Sequence, residues 1–342
     1  MNDLKPAGDP VSWPIDPSEV TIGIEGFNAA DLESAELFTR TLRSLRAQTY
    51  PIERCEILVV VDPTTAGDLQ RIRDSLPEAT LLLAPEITYY ESKNLIASQA
   101  KGRYVVLLDS DIEYSPNAVE SLLASFEHGA ELVVGNTTFD PGPLRDYLSA
   151  SDWPALRAES GWGEWLYANH LAARRETLLR FPFSTDVTRC GEAAINVTRM
   201  RLQQAGIRVW FCREARGHHH LPPFWYKQFR YGAHAVRVRT LYPEIPGGRV
   251  VRIPLVGPFL AIAGTWVRTI QRAWRQRRDL PGGTLGYPVA VLVLTVAKAG
   301  EMIGAYAQAW APRWVDARFG WFSLPDRRAP LEPRVLRPLD AS

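Results

Sequence analysis

Cysteine is scarce in this chain of 342 residues, where Cys55, Cys190 and Cys212 are an odd number with no close-spaced pair. That excludes a disulfide framework and a CxxC metal motif, and it points to a reducing compartment. Net charge is nearly absent as well: a formal +1 gives no global electrostatic argument for nucleic acid, so none is expected as a partner. There is no internal repeat and no low-complexity segment. Met1 to Pro14 is polar and proline-bearing and lacks a basic stretch followed by an apolar core, so the expectation is no secretory signal and a main domain that stays in the cytoplasm.

What is present is a sizeable hydrophobic fraction, 46%, arranged with a clear period. Val20 to Ile24, Glu56 to Val61, Thr80 to Ala84 and Tyr104 to Leu108 are short continuous apolar runs that read as buried strands. Between them, Leu32, Ala35, Phe38, Leu42 and Leu45 recur at helical spacing, and further helices are expected near Asp68 to Ser75, from Ser92 to Ala100 and from Asn117 to Glu127. Strands interleaved with helices predict an α/β fold, a mainly parallel sheet covered on both faces, with ligands bound at the carboxyl ends of the strands. Beyond Glu131 to Val134 the pattern turns irregular and aromatic. It resumes with a helix from Glu192 to Ala205 and a strand from Arg208 to Phe211.

The fourth strand closes in Asp109-Ser110-Asp111. Paired carboxylates at i and i+2 on a strand end offer hard oxygen ligands for a divalent cation, although the triplet by itself is also common in turns and caps. Further acids, bases and histidines fall near other strand ends. Asp62 ends the second strand, where it can accept from a uracil-type imide or cap the following segment. His218, His219 and His220 follow the Arg208 to Phe211 strand, and read either as a metal-ligating group or as a surface loop.

These motifs, taken in order, resemble the family-2 inverting glycosyltransferases with the GT-A fold over roughly Val20 to Arg237. The resemblance rests on Ile24-Glu25-Gly26-Phe27-Asn28, where the usual Pro-Thr-Tyr is replaced; on Val61-Asp62; and on Ser92-Lys93-Asn94 with Ala100-Lys101-Gly102. It continues through Asp109-Ser110-Asp111, the segment Asn169 to Arg175, Gly191-Glu192-Ala193, and His218-His219-His220 with Tyr226 to Gly232.

The resemblance implies a nucleoside diphosphate sugar as donor, with UDP favoured, and Mn²⁺ or Mg²⁺ as cofactor. It implies donor binding by Glu25, Phe27, Asp62, Lys93, Asn94, Asp109, Ser110, Lys227 and Arg230. Metal would be held by Asp109, Asp111 and His218, with His220 second. Lys93 is alternatively an exposed surface lysine, and Lys227 and Arg230 are either a cationic lid or the solvated face of a packed helix. Trp162, Trp165, Tyr167, Asn169 and His170 would shape the acceptor site. The family's usual base position is Ala193 here, so Glu192 is the expected base, unless it only caps its helix, and Asp186 the next candidate.

Composition changes again from about Arg249. Ile253 to Val267 is almost wholly apolar, Arg268 to Arg278 holds five arginines, and Leu285 to Ala297 is apolar once more. The first run is shorter than the ~20 residues of a straight span, and Lys298 and Glu301 interrupt the second, so a re-entrant or interfacial helical hairpin is expected, with a helical appendage packed on the main domain as the alternative. The expected layout is an extension over 1–19, a GT-A domain over 20–245, a membrane-associated segment over 246–312 and a loose or surface-wrapping tail over 313–342. The acceptor would be a saccharide or a lipid-linked hydroxyl at the cytoplasmic membrane face. A catalytically silent sugar-nucleotide binder and a membrane scaffold are the competing readings.

Overall fold

A computed structural model describes residues 13–26, 32–63, 67–140, 142, 144–152, 159–220, 223–324 and 333–337. The apolar runs become strands because each residue in them is covered on both faces. Strands β1 (Val20–Glu25), β2 (Glu56–Val61) and β4 (Tyr104–Asp109) are buried almost throughout, and with β3 (Thr80–Leu83) they form a parallel run in the order β3-β2-β1-β4. Helices α1 (Leu32–Arg46) and α3 (Tyr89–Gln99) flank this half of the sheet. Phe38, Leu42 and Leu45 of α1 enter one core; Leu95, Ile96 and Ala97 of α3 enter the other. Helix α2 (Gly67–Ser75) packs beside α1.

Beyond β4 the sheet becomes mixed. Strand β8 (His170–Arg174) runs antiparallel between β4 and β6 (Leu132–Phe139). Next to β6 lies β9 (Val209–His219), parallel to it, and then β5 (Ile112–Tyr114) and β7 (Gly161–Gly163), both antiparallel to β9. The parallel half therefore follows the expectation from interleaved strands and helices. The aromatic segment after β6 supplies the antiparallel strands β7 and β8, whose short and broken apolar pattern concealed them. Between these strands, α4 (Ala118–Ala124), α5 (Arg145–Asp152), α6 (Arg175–Arg180) and α7 (Ile195–Gln204) complete the layers.

The last third is helical. Helix α8 (Phe224–Leu241) is followed by α9 (Gly248–Val251), α10 (Gly257–Arg275), α11 (Tyr287–Trp310) and α12 (Pro312–Phe319). The arginine-rich stretch between the two apolar runs is largely the second half of α10, because nothing from Pro258 at its start to Arg275 breaks the helical pattern. The tail is ordered where described: Val315, Trp321 and Phe322 are buried against α8, and β10 (Arg334–Leu336) pairs antiparallel to β3.

Helix α11 lies close on α8 because both present glycines at the crossing. A Cβ on Gly232 would sit 1.8 Å from the Glu301 carbonyl oxygen, and one on Gly304 would sit 1.9 Å from that of Phe229. Backbone stands in the way on both sides, so no rotamer change relieves the clash. Gly232→Val is accordingly expected to lower stability by about 3 kcal/mol, at the upper end of the usual overpacking range. Urea unfolding checks this. A midpoint equal to that of the parent would mean the two helices are not in contact in solution.

Candidate active site

Because β1, β2 and β4 are parallel, their carboxyl ends share one edge, with Glu25 in register with both Asp109 and Val60. The chain leaves β4 through Ser110 and Asp111 and turns into β5. Thr41 fixes that turn by donating its hydroxyl to the carbonyls of Ser110 and Ile112 at 2.9 and 2.8 Å. Three carboxylates thus crowd a dry edge. They are kept apart chemically by different partners.

Asp109 is neutralised from behind. Lys93 Nζ lies 2.6 Å from Asp109 Oδ1, with both side chains buried, and Tyr89 Oη donates to the same carboxylate at 2.9 Å. Lys93 is therefore neither a donor contact nor a surface lysine; α3 packs over β1 and β4 and carries it inside. Glu25 is also buried, accepts from Ser110 N at 3.2 Å, and lies outside the cavity wall. Burial, reinforced by the charge of Asp109, pushes its carboxyl well above the usual range, which favours the neutral acid. Ser110 is tied to Glu25 through both its N–H and its hydroxyl.

Asp111 differs from both. Its Oδ1 is buried without a hydrogen-bond partner, and its Oδ2 lies 3.4 Å from His219 Nε2. Burial raises its pKa, and His219 opposes that rise. The other ring nitrogen, His219 Nδ1, is 2.5 Å from the His220 carbonyl, which can only accept. In the neutral ring this turns the Nε2 lone pair toward Asp111. Two acceptors facing each other beside an orphaned carboxylate oxygen, with the histidine's far nitrogen bonded to a carbonyl, form a donor set suited to a divalent cation. The described residues hold no group of three ligating side chains, so such an ion would take Asp111 and His219 and draw its other ligands from substrate and water.

The histidine beside Asp111 is thus His219, whereas the sequence reading favoured His218 and His220. Strand β9 continues to His219, and its alternation turns Ala215 and Gly217 inward and leaves His218 exposed, bonded to Thr138 Oγ1 at 3.0 Å. His220 lines the cavity and lies 3.3 Å from Asp140 Oδ2. Extending the two-residue period from buried Ala215 would have selected His219.

A cavity of about 700 Å³ opens from this edge, and the carboxylates of Asp109 and Asp111, with His219, line one end of it. Helix α8 supplies Lys227 and Arg230 to the wall. Lys227 is buried, its Nζ 3.6 Å from the centre of the Phe139 ring. Trp165, Tyr167 and Asn169 also reach the cavity, and Asn169 Oδ1 is buried without a hydrogen-bond partner.

Other expected residues lie elsewhere. Trp162 packs edge-on against Trp210 and stacks with Arg208, away from the cavity. His170 is fully buried against Tyr114; burial alone pushes it down to about 3, so it is a neutral core ring. Asn94 spends both ends of its amide on the Phe183 backbone at 2.9 Å and so clamps a loop to α3. Asp62 accepts from Glu86 N at 2.8 Å, in a turn where Glu86 has φ 53°. Asp186 is exposed and bonded by Ser184 and Tyr242; although burial opposes the charge, these bonds hold its pKa below the usual value, the wrong direction for a base. Glu192 begins a short 3-10 turn, Glu192–Ala194, whose Ala193 lines the cavity; its side chain, like Phe27, lies outside the described residues. Tyr89 as a partner of Asp109, and the arginines Arg199, Arg239, Arg268 and Arg272 in the cavity wall, were not anticipated individually.

Residues 27–189 match the family described as Glycosyl transferase family 2. The chain carries a family-2 glycosyltransferase domain. Among curated proteins, a glucosyl-dolichyl phosphate glucuronosyltransferase of Haloferax volcanii is 26% identical over 212 residues, 56% of this chain, and the match spans 66% of that relative's length, just under two thirds. A mannosyltransferase of Pyrobaculum calidifontis, solved in complex with GDP-Man and Mn²⁺, superposes with a TM-score of 0.55 at 18% identity, covering 88% of this chain and 90% of the other. The fold of the glycosyltransferase domain is GT-A, a mixed α/β sheet, with a helical segment at its C-terminal end.

Proposed function

We propose that the protein is a metal-dependent, inverting glycosyltransferase that moves a sugar from a nucleoside diphosphate donor to a lipid-linked hydroxyl at the cytoplasmic face of a membrane. The observation that carries this reading is the pairing of Asp111 and His219 at a strand edge, at the end of a cavity whose wall also bears Lys227 and Arg230. Mn²⁺ or Mg²⁺ held there would neutralise the departing diphosphate. Lys227 and Arg230 would give the leaving group a second, fixed positive wall. Asn169 Oδ1, an acceptor with no partner, can orient a substrate hydroxyl. The aromatic faces of Trp165 and Tyr167 suit sugar C–H surfaces.

Inversion requires a carboxylate that takes the acceptor proton as the hydroxyl attacks the anomeric carbon opposite the leaving diphosphate. Glu192 stands next to the cavity-lining Ala193 in the chain and is the proposed base. A UDP sugar is the first donor to test, with GDP-mannose as comparator because the Pyrobaculum calidifontis protein was solved with it. The lipid-linked acceptor is supported by the name of the Haloferax volcanii relative. A membrane surface is supported by exposed Phe259, Leu260, Val267, Leu292 and Ile303 on α10 and α11. Among the described residues one helical stretch, Gly283–Trp310, is long and apolar enough to cross a bilayer, yet 44% of its apolar window is buried inside the fold, which favours a surface-lying arrangement.

Transfer assays with a panel of nucleoside diphosphate sugars test the reading. Glu192→Gln is expected to retain donor affinity and lose on the order of 10²–10⁴-fold in turnover. Donor binding with no transfer or hydrolysis by the parent protein would instead support the silent sugar-nucleotide binder, which Ala193 at the family's base position favours.

A further inference from the structure

The far end of the cavity is basic. Arg199 of α7, Arg239 of α8 and Arg268 and Arg272 of α10 all line it, and Arg272 lies 5.6 Å from the centre of the Trp165 ring. Among the described residues no carboxylate comes within ion-pairing distance of Arg199, Arg239 or Arg268. Nearby Glu301 is engaged by Lys298. Two of the five donors of Arg239 are used on the carbonyls of Pro246 and Ala235, at 2.9 and 3.0 Å. Burial is the first cause that disfavours the charged form of both Arg199 and Arg239; at Arg199 the charge of Glu164 opposes it and that of Arg268 adds to it, while at Arg239 the charges of Arg268 and Arg199 add to it against Glu301. Like charges gathered in a partly dry wall call for a counter-charge.

This basic group is separate from the cations near the carboxylates. Lys227 stands over Phe139, which meets His219 edge-on, so it belongs to the Asp111 end. Arg239 lies twelve residues further along the same helix, about 18 Å at 1.5 Å per residue. One diphosphate cannot bridge both.

Helix α10 adds the second requirement. Thr265, Arg268, Thr269 and Arg272 recur at helical spacing on its cavity side, while Phe259, Leu260, Trp266, Val267 and Trp274 are exposed. The helix buries Ala261, Ile262 and Ala273 against its neighbours, turns these polar side chains toward the cavity, and carries large apolar side chains on its outer face. A ligand that satisfies both faces has an anionic head and an apolar tail.

We propose that Arg199, Arg239, Arg268 and Arg272 form a second anion site that holds the phosphoryl group of an amphiphilic acceptor, whose apolar tail lies along the outer face of α10. Planar guanidinium groups bind phosphate oxygens in pairs, which suits several arginines to one phosphoryl group. The site deepens the proposed function and rests on it for the word acceptor, but its binding chemistry can be tested without turnover.

The full-length protein in detergent is titrated with farnesyl phosphate, farnesol and inorganic phosphate, followed by calorimetry and by tryptophan fluorescence, to which Trp165 contributes. Farnesyl phosphate is expected to bind at least tenfold more tightly than either comparator. In Arg199→Gln/Arg268→Gln, and to a lesser degree in Arg268→Gln alone, where the exposed side chain can be changed without disturbing the core, that preference falls about tenfold or more while UDP affinity in Mn²⁺ is unchanged. Equal binding of farnesol, or of inorganic phosphate, overturns the amphiphile. Retained farnesyl phosphate affinity in the single and double variants overturns the residues, and a parallel loss of UDP affinity assigns the arginines to the donor. Absence of transfer activity with all these binding results intact would reject the proposed reaction and leave the anion site standing.

Discussion

Asp111→Asn is expected to abolish the Mn²⁺-dependent part of donor affinity while leaving the fold as stable as before. The substitution keeps the volume of the side chain and removes its charge. Stability is spared because the half-buried Asp111 carboxylate has a buried oxygen with no hydrogen-bond partner and a pKa raised by burial, so the folded protein disfavours its ionised form. An amide needs no such compensation. Donor binding suffers because an asparagine oxygen carries no formal charge to offer the ion, and His219 would be the one remaining protein ligand. A loss on the order of 100-fold, about 2.7 kcal/mol, is the expected scale. Calorimetric titration of UDP with Mn²⁺ and with chelator measures it; an unchanged Mn²⁺ dependence would remove the metal role of Asp111 altogether.

Lys93→Met should have the opposite profile, with a large loss of stability and a secondary effect on the donor. Lys93 and Asp109 are a buried pair at 2.6 Å, and removing one member leaves the other's charge in a dry site beside Glu25. Breaking such pairs costs about 3–5 kcal/mol. The deficit should grow with pH. The folded-state pKa of Glu25 is already raised, and Lys93 is one of the charges that restrains it, so the variant shifts it further up. An acid with a raised folded-state pKa loses stability as pH climbs from its unfolded value, near 4.5, toward its folded one. Urea midpoints at pH 5 and pH 8 test this. A variant as stable as the parent at pH 8 would mean that Lys93 is not the counter-ion.

Much of the scaffold was legible before any coordinates. Continuous apolar runs identified β1, β2, β3 and β4, and the stripe of Phe38, Leu42 and Leu45 identified α1, because in these elements local period and burial agree. The short strands β5, β7 and β8 were not legible. Their apolar pattern is brief, and their stability comes from partners far along the chain, such as Ile112 opposite His219. The candidate site was partly legible for the same reason. Asp111 was marked by its position at the end of an unmistakable strand, whereas His219 could be told from its neighbours only by knowing that β9 runs through all but the last of the three histidines.

Residue type and spacing by themselves determined that this is an α/β chain with carboxylates at a strand end and an apolar, arginine-bearing C-terminal segment. Tertiary structure decided which side of each residue matters. Lys93, Asn94 and His170 share motifs with the expected site, yet they face inward to Asp109, the Phe183 backbone and Tyr114. The arginines of α7, α8 and α10, scattered over some seventy positions of the sequence, meet in one wall. Spacing along the chain reports only the face of a single element. Charges on different elements become neighbours through the packing of those elements, here the close crossing of α8 and α11 at Gly232 and Gly304 and the docking of α10 beside them.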